Sequence, residues 1–253
     1  MTISLPGSGH EVGGPLGDTY GAVLVRADGT DVEGVLAALG AIRFSGWVAP
    51  PDDGWIVAIA RPGGGVVATG RRGVLEVGEV LAGRLATTVL AVRVLVDRQL
   101  AIAAWTGGEE LGRYSSDPSR EPGADDDVLS DPIGEEHAGA FASACGRPDA
   151  AEDLEEVLAE ELDPDSVYES ERLAQVLRLL GLPAWLVAAA ALPRDVPTGP
   201  RARDLVRLGA GARGAEGRVR GRAADVVRRR RTPPPVIADP PRSHGLGMDP
   251  WLF

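Results

Sequence analysis

The apolar positions in the first half of the chain follow two spacings, one typical of helices and one typical of strands. Behind Asp31 they recur at i, i+3, i+4 and i+7, which predicts a helix capped by that aspartate. A similar spacing through residues 77–85 predicts a second helix. Strands are predicted at residues 20–26, 47–49, 55–60, 89–96, 99–105 and 109–115. The order β-α-β-β-α-β-β-β favours an α+β sandwich with a mainly antiparallel sheet and two helices on one face.

Helical spacing dominates residues 136–194, which follow a polar loop. Two pairs of residues predict the starts of helices there, because a polar capping residue three positions before a Glu forms an N-terminal box. These pairs are Asp149 with Glu152 and Ser166 with Glu169. We therefore expect a helical section that packs on the same core as the sheet.

The last part of the chain is rich in Pro, Gly and Arg. Its apolar content is too low to offset the entropy of ordering, so we expect disorder beyond residue 195, with any ordered part held by a partner chain. Within it the pattern favours one basic helix at 216–231, which Gly217 and Gly221 each weaken by about 1 kcal/mol. The expected organisation is a flexible arm at 1–18, an α+β sheet domain at 19–117, a polar loop at 118–135, the helical section at 136–194 and the basic tail at 195–253.

Charge divides the chain into an acidic body and a basic tail. Residues 1–200 carry 14 arginines against 32 acidic residues, whereas the last 53 residues carry 12 arginines against five acidic residues. Opposite potentials of this size attract over about 8–10 Å at ordinary ionic strength. We expect the two parts to contact different partners, or to associate weakly with each other.

Composition excludes several classes of enzyme. The chain contains no lysine, so it cannot be a Walker-type nucleotide-binding protein, a Schiff-base enzyme or a protein kinase. It contains no asparagine, which removes the Cys-His-Asn arrangement. The single cysteine, Cys145, belongs to an apolar helical stripe that predicts a buried, inert thiol. We expect no catalytic residue, and carboxylate-dependent hydrolysis is the enzyme class that stays open.

Neither a cofactor nor a metal ion is predicted. The spacing Gly209-x-Gly211-x-x-Gly214 matches a dinucleotide fingerprint, but we expect it to follow an arginine-rich helical run rather than the strand that such a site requires. His10 and His137 are the first two of three histidines that are too far apart in the sequence to suggest converging ligands.

Targeting signals are not evident in the sequence. The longest apolar stretch, at residues 184–192, is well short of the roughly 20 residues that a membrane span needs. The first 20 residues lack the basic and apolar regions of a signal peptide. Together with a single cysteine, these features predict a cytoplasmic, bacterial-type protein with no membrane partner.

The expected partner is another protein, contacted through the C-terminal tip or the acidic face. Large apolar side chains end the polar tail, where they have no local core to enter, at Trp251, Leu252 and Phe253. We expect them to dock in an apolar groove of the partner or to fold back on the body. The alternative is a nucleic-acid-associated regulator that pairs arginines with phosphates. Its candidate residues are Arg218, Arg220, Arg222, Arg228, Arg229, Arg230 and Arg231.

Two motifs resemble an uncharacterised family of bacterial proteins. One is the run Glu-Glu-Leu-Gly-Arg-Tyr-Ser-Ser-Asp-Pro at 109–118, and the other runs from Glu-Arg-Leu-Ala at 171–174 to Leu-Gly-Leu-Pro at 180–183. The resemblance covers about residues 20–190 and implies a shared α+β body. It implies no known activity, so no functional residue is carried over from it, and the basic tail lies outside it.

Overall fold

A computed structural model of the protein describes residues 18–62, 65–121, 124–125, 128–161 and 168–231, with the backbone alone at residue 225 and at 227–231. In chain order its strands are β1 (Tyr20–Arg26), β2 (Gly46–Val48), β3 (Trp55–Ala60), β4 (Val89–Leu95), β5 (Gln99–Thr106), β6 (Glu109–Ser115), β7 (Val206–Gly209) and β8 (Ala212–Arg213). Its α-helices are α1 (Val32–Ala41), α2 (Val74–Leu85), α3 (Ala138–Ala144), α4 (Ala151–Ala159), α5 (Glu169–Leu179) and α6 (Gly214–Arg231).

All eight of these strands form one antiparallel sheet, in the spatial order β6-β5-β4-β1-β3-β2-β7-β8. The predicted α+β class, with a mainly antiparallel sheet and two helices on one face, is confirmed. Central strand β1 is buried on both faces, which explains why its apolar run is continuous rather than alternating. No helix within the described ranges combines the length and the apolar composition that crossing a membrane requires.

The two faces of the sheet support separate hydrophobic cores. On one face α1 and α2 cover Val23, Val25 and their neighbours. On the opposite face the helical section covers Ala22 and Leu24, with Phe141 of α3 buried among them. The helical section therefore shares the sheet with α1 and α2 but not their core.

The starts of the helices show where the local sequence pattern determines the structure and where tertiary packing determines it instead. Asp31 caps α1 as predicted, because its carboxylate accepts a hydrogen bond from the Gly34 N–H at 2.7 Å. The predicted box of Asp149 with Glu152 is wrong, since α4 begins after a short 3₁₀ turn without a side-chain cap. Glu169, expected in a second box, is the first residue of α5 and is buried. Its predicted partner, at position 166, lies outside the described residues.

Residues 206–224 pack against the body, so the prediction of disorder beyond residue 195 is wrong for this segment. β7 pairs with β2 in antiparallel register, with Gly46 opposite Leu208. Leu208 is 2 % exposed and joins the core under α1 and α2. The edge of β2 is thus covered by a strand of the same chain. The predicted basic helix is confirmed as α6, and residues 232–253 lie outside the described range.

Candidate anion-binding cleft

A cleft of about 280 Å³ opens where β2, β7 and α6 meet. Arginines from three parts of the chain line it: one follows β3, one belongs to β7 and two belong to α6. They are Arg61, Arg207, Arg218 and Arg222. All four are exposed, and no acidic residue is among the described residues that line the cleft. The cleft therefore concentrates positive charge on a protein whose net charge is −11.

Glycines allow α6 to lie directly on the strands that form the cleft. A Cβ atom at Gly209 would be 1.9 Å from the carbonyl oxygen of Gly217, and a Cβ atom at Gly217 would be 2.1 Å from that of Ala212. Such distances are far inside van der Waals contact, so only glycine fits at either position. Gly217, which weakens α6 as an isolated helix, is thus one of the glycines that allow α6 to pack against these strands.

A two-residue turn between β7 and β8 is fixed by the segment that joins α1 to β2. Ala210 and Gly211 both have positive φ angles, of 47° and 82°, as a tight hairpin turn requires. The Gly211 N–H donates to the Phe44 carbonyl at 2.7 Å, and the Ala210 N–H donates to the Ser45 hydroxyl at 3.0 Å. These bonds hold the hairpin, and through it α6, at a fixed distance from the body.

The predicted spacing Gly209-x-Gly211-x-x-Gly214 therefore has a structural role. It follows strand β7, so the prediction that no strand precedes it is wrong. However, the chain turns back as β8 before α6 begins, and the neighbouring strands are antiparallel. A dinucleotide fingerprint requires a helix that opens directly from a parallel strand. The glycines instead form the hairpin turn and the contact with α6.

Ion pairing distinguishes Arg213 and Arg220 from the cleft arginines Arg218 and Arg222. Arg220 pairs with Glu216 one turn away on α6, and Arg213 binds Glu33 of α1 through two hydrogen bonds of 3.1 and 2.7 Å. The Arg213 guanidinium holds the pKa of the Glu33 carboxyl below its usual range. Neither arginine lines the cleft. Both are neutralised by partners on the protein itself.

Three of the arginines that line the cleft, Arg207, Arg218 and Arg222, keep donors available. Arg218 and Arg222 have no ion pair or hydrogen bond with any side chain that the structure describes. Arg207 lies opposite Trp47 in the pairing of β7 with β2, and its guanidinium carbon is 5.8 Å from the centre of the Trp47 ring. This cation–π contact orients the guanidinium without neutralising its charge.

Sequence reasoning thus found two of the four arginines, and it did not separate them from Arg220. Of the remaining candidates, Arg228 to Arg231 end α6, where the structure describes only the backbone. The apolar tip at residues 251–253 lies beyond the described residues, and its docking stays a prediction. Arg61 and Arg207 were missed because they lie outside the basic segment at 213–231, and only the pairing of β2 with β7 brings them to α6.

A second polar cluster is buried between β6 and α5. The Ser116 hydroxyl donates to Glu169 at 2.5 Å, and Arg172 lies 3.5 Å from the same carboxylate. Arg172 also donates to the Tyr114 hydroxyl and to the carbonyls of Leu158 and Glu160 at the end of α4. Burial raises the pKa of Glu169. These contacts join three elements, and the capping pattern at Glu169 gave no sign of them.

Metal and thiol chemistry receive no support from the described residues. Nowhere among them do three or more His, Cys, Asp or Glu side chains converge to hold a metal ion. Cys145 is buried next to α3, and burial raises the pKa of its thiol to about 12 from an ordinary value of 9.0. Arg26 opposes this shift with a smaller effect. The sequence-based prediction of a buried Cys145 is confirmed.

We expect Cys145 to react with a disulfide reagent more slowly in the folded protein than in the unfolded chain. At about pH 8 the difference in rate should be about a hundredfold or more. The reason is that the reactive thiolate becomes rare when the pKa rises to about 12. Absorbance of the released thiol in native buffer, compared with the rate in guanidinium chloride, measures the ratio. Equal rates would show that the thiol is accessible and ionisable.

We compared the chain with protein-family models, with curated proteins and with solved structures, and none of the three comparisons gave a match.

Proposed function

We propose that the protein is a non-catalytic binding protein that associates with nucleic acid through the arginine-lined cleft. The observation that carries this proposal is the convergence of four exposed arginines, with no acidic residue, on one cleft. A guanidinium group offers a planar set of donors that matches two oxygens of a phosphate. Such a group of arginines can bind several phosphates of one nucleic-acid chain at the same time.

The sequence of α6 extends the same charge beyond the cleft. Four consecutive arginines, at 228–231, follow the two cleft arginines on this helix, which spans 18 residues. A helix of that length covers about 27 Å, long enough to follow several successive phosphates. Nucleic acid therefore suits this surface better than a ligand with a single phosphate.

The acidic remainder of the protein limits the proposed mode of binding. With a net charge of −11, the protein as a whole repels a polyanion, so attraction must come from the side of the molecule that carries β7 and α6. Binding driven by released counterions weakens steeply with salt, by about 0.9 in log K per log unit of salt for each phosphate contacted on duplex DNA. Salt dependence is therefore the signature to measure.

Replacing both Arg218 and Arg222 by glutamine is expected to weaken nucleic-acid binding at least about tenfold at low salt, and to reduce the salt slope by about 2. Fluorescence anisotropy of a labelled duplex and of a single strand, each at about 50 and 200 mM salt, gives both quantities.

The matched control is Arg220→Gln, because Arg220 lies on the same helix, pairs with Glu216 and does not line the cleft. It is expected to keep most of the affinity. If the wild-type protein binds neither probe, or if the double variant binds as well as the wild type, the proposal is wrong. A loss that is equal in the control would assign the effect to overall helix charge rather than to the cleft.

A protein partner is the second candidate function, and the acidic helical section favours it. The outward positions of α4 are mostly glutamate and aspartate, among them Glu152, Asp153, Glu155 and Glu156. Such a surface complements a basic protein. The same surface has a feature that identifies one such partner more closely.

A further inference from the structure

Helix α6 buries Gly217 and exposes Val219 and Val226. Gly217 is buried against β7 and β8, as the 1.9 Å approach to Gly209 requires. At 100° per residue, Val219, Ala223 and Val226 fall on the opposite side, where the two valines are 68 % and 51 % exposed. In an ordinary surface helix the apolar side chains, such as valine, face the core of the same protein. The valine side of α6 is therefore arranged for a contact outside its own body.

Arginines border this apolar stripe on both sides. Arg218 and Arg222 lie on the side of the cleft, and Arg220 lies on the other. The stripe is thus a narrow apolar face with a basic margin. Recognition of such a helix normally uses a groove with an apolar floor and an acidic rim.

A groove of this kind lies between α4 and α5. It is a shallow, open depression of about 360 Å³, and half-buried Val157 and Leu179 form its apolar part. Asp153 and Glu156 supply the acidic rim, while Arg178 is turned back to the Ala174 carbonyl of its own helix at 3.1 Å. Chemically, the groove is the complement of the α6 stripe.

One molecule cannot bring the two surfaces together. α6 packs on β7 and β8 at one end of the sheet, whereas α5 contacts β5 near the other end. Six strand spacings separate β5 from β8, which is about 29 Å at the usual spacing between strands. The stripe also faces away from its own body, so the groove that receives it belongs to a second molecule.

We propose that α6 of one copy of this chain docks in the α4–α5 groove of a second copy. The contact is head-to-tail, since each surface meets a different surface of its neighbour, and it goes beyond nucleic-acid binding. Apolar side chains supply the anchors and the opposite charges fix the orientation. Because exposed charges are screened, the association weakens as salt rises.

Two variants test the contact from its two sides. Val219→Gln with Val226→Gln removes the apolar stripe without changing charge, and neither residue lines the cleft. Glu156→Arg reverses one charge on the rim of the groove. Two matched controls are used. Leu129→Gln removes an apolar side chain that is 73 % exposed and lies outside both surfaces, and Glu79→Arg makes the same charge change at an exposed position of α2. All five positions are exposed, and circular dichroism checks folding.

Light scattering over about 5–500 μM, the range in which a complex of micromolar to millimolar affinity forms, measures the result. We expect the wild-type mass to rise with concentration at low salt and less at high salt. Each variant should self-associate at least about tenfold more weakly than the wild type, and each control should self-associate as the wild type does. A mixture of the two variants should form a 1:1 pair, because one keeps its groove and the other keeps its helix.

Three results would overturn the inference: a wild-type protein that stays monomeric over this range, a variant that associates like the wild type, or a mixture that forms no pair. A failure of self-association can be distinguished from a failure of nucleic-acid binding. The Val219→Gln/Val226→Gln protein keeps all cleft arginines, so its affinity for the labelled duplex should equal that of the wild type whatever its mass.

Discussion

Replacing Arg172 by methionine is expected to lower the free energy of unfolding by about 3–5 kcal/mol, the usual cost of removing one partner from a buried ion pair. The Arg172 side chain is 2 % exposed, and its loss leaves the Glu169 carboxylate buried without a counter-charge. The carbonyls of Leu158 and Glu160 also lose their donor. Denaturant unfolding of both proteins measures the difference.

Arg178→Met on the same helix is the control. Its guanidinium is exposed and donates only to the Ala174 carbonyl within α5, so we expect a change below about 1 kcal/mol. A comparably small change for Arg172→Met would mean that water reaches the cluster when the guanidinium is removed.

The deficit caused by Arg172→Met should also depend on pH. Burial raises the pKa of Glu169 in the folded protein above its ordinary value of 4.5, so folding favours the protonated carboxyl. Stability associated with that proton is fully present below about 4.5 and is lost as pH rises through the folded pKa. Without Arg172 this pKa rises further. The deficit should therefore be smaller at about pH 4 than at about pH 7, in unfolding curves recorded at both values.

Local patterns in the sequence predicted most of the sheet and its helices. Helical and strand spacings located every strand and α-helix from β1 to β6, because all of these strands except β2 have six to eight residues and the helices between them have one apolar face. Asp31 shows the same agreement at the level of one hydrogen bond. In this part of the chain, local preference and tertiary packing favour the same structure, and prediction from sequence succeeds.

Prediction failed where long-range contacts decide the structure. β7 has four residues with no distinctive pattern, and it becomes a strand only because β2, more than 150 residues earlier, has a free edge. Glu169 matched a capping box, yet its carboxylate turns inward to Ser116 and Arg172. The cleft was found only in part for the same reason, since its arginines come from segments that are distant in sequence.

The glycines of α6 give the most direct test of this explanation. Alanine in place of glycine usually stabilises a helix by about 0.5–1 kcal/mol. At Gly217 the new Cβ atom would be 2.1 Å from the Ala212 carbonyl oxygen, so α6 must move away from β7 and β8. At Gly221 the new Cβ atom would meet the Gly209 Cα at 3.4 Å, an ordinary contact.

We therefore expect Gly217→Ala to lower the free energy of unfolding by about 1–3 kcal/mol, as other overpacked substitutions do, and Gly221→Ala to leave it unchanged or raise it. Because α6 carries two arginines of the cleft, Gly217→Ala should also weaken duplex binding at least about tenfold, whereas Gly221→Ala should not. Thermal unfolding, amide hydrogen exchange in 206–231 and anisotropy titrations measure these effects. If the two variants behave alike, the close backbone approach does not hold α6 in place, and the cleft must be formed by other contacts.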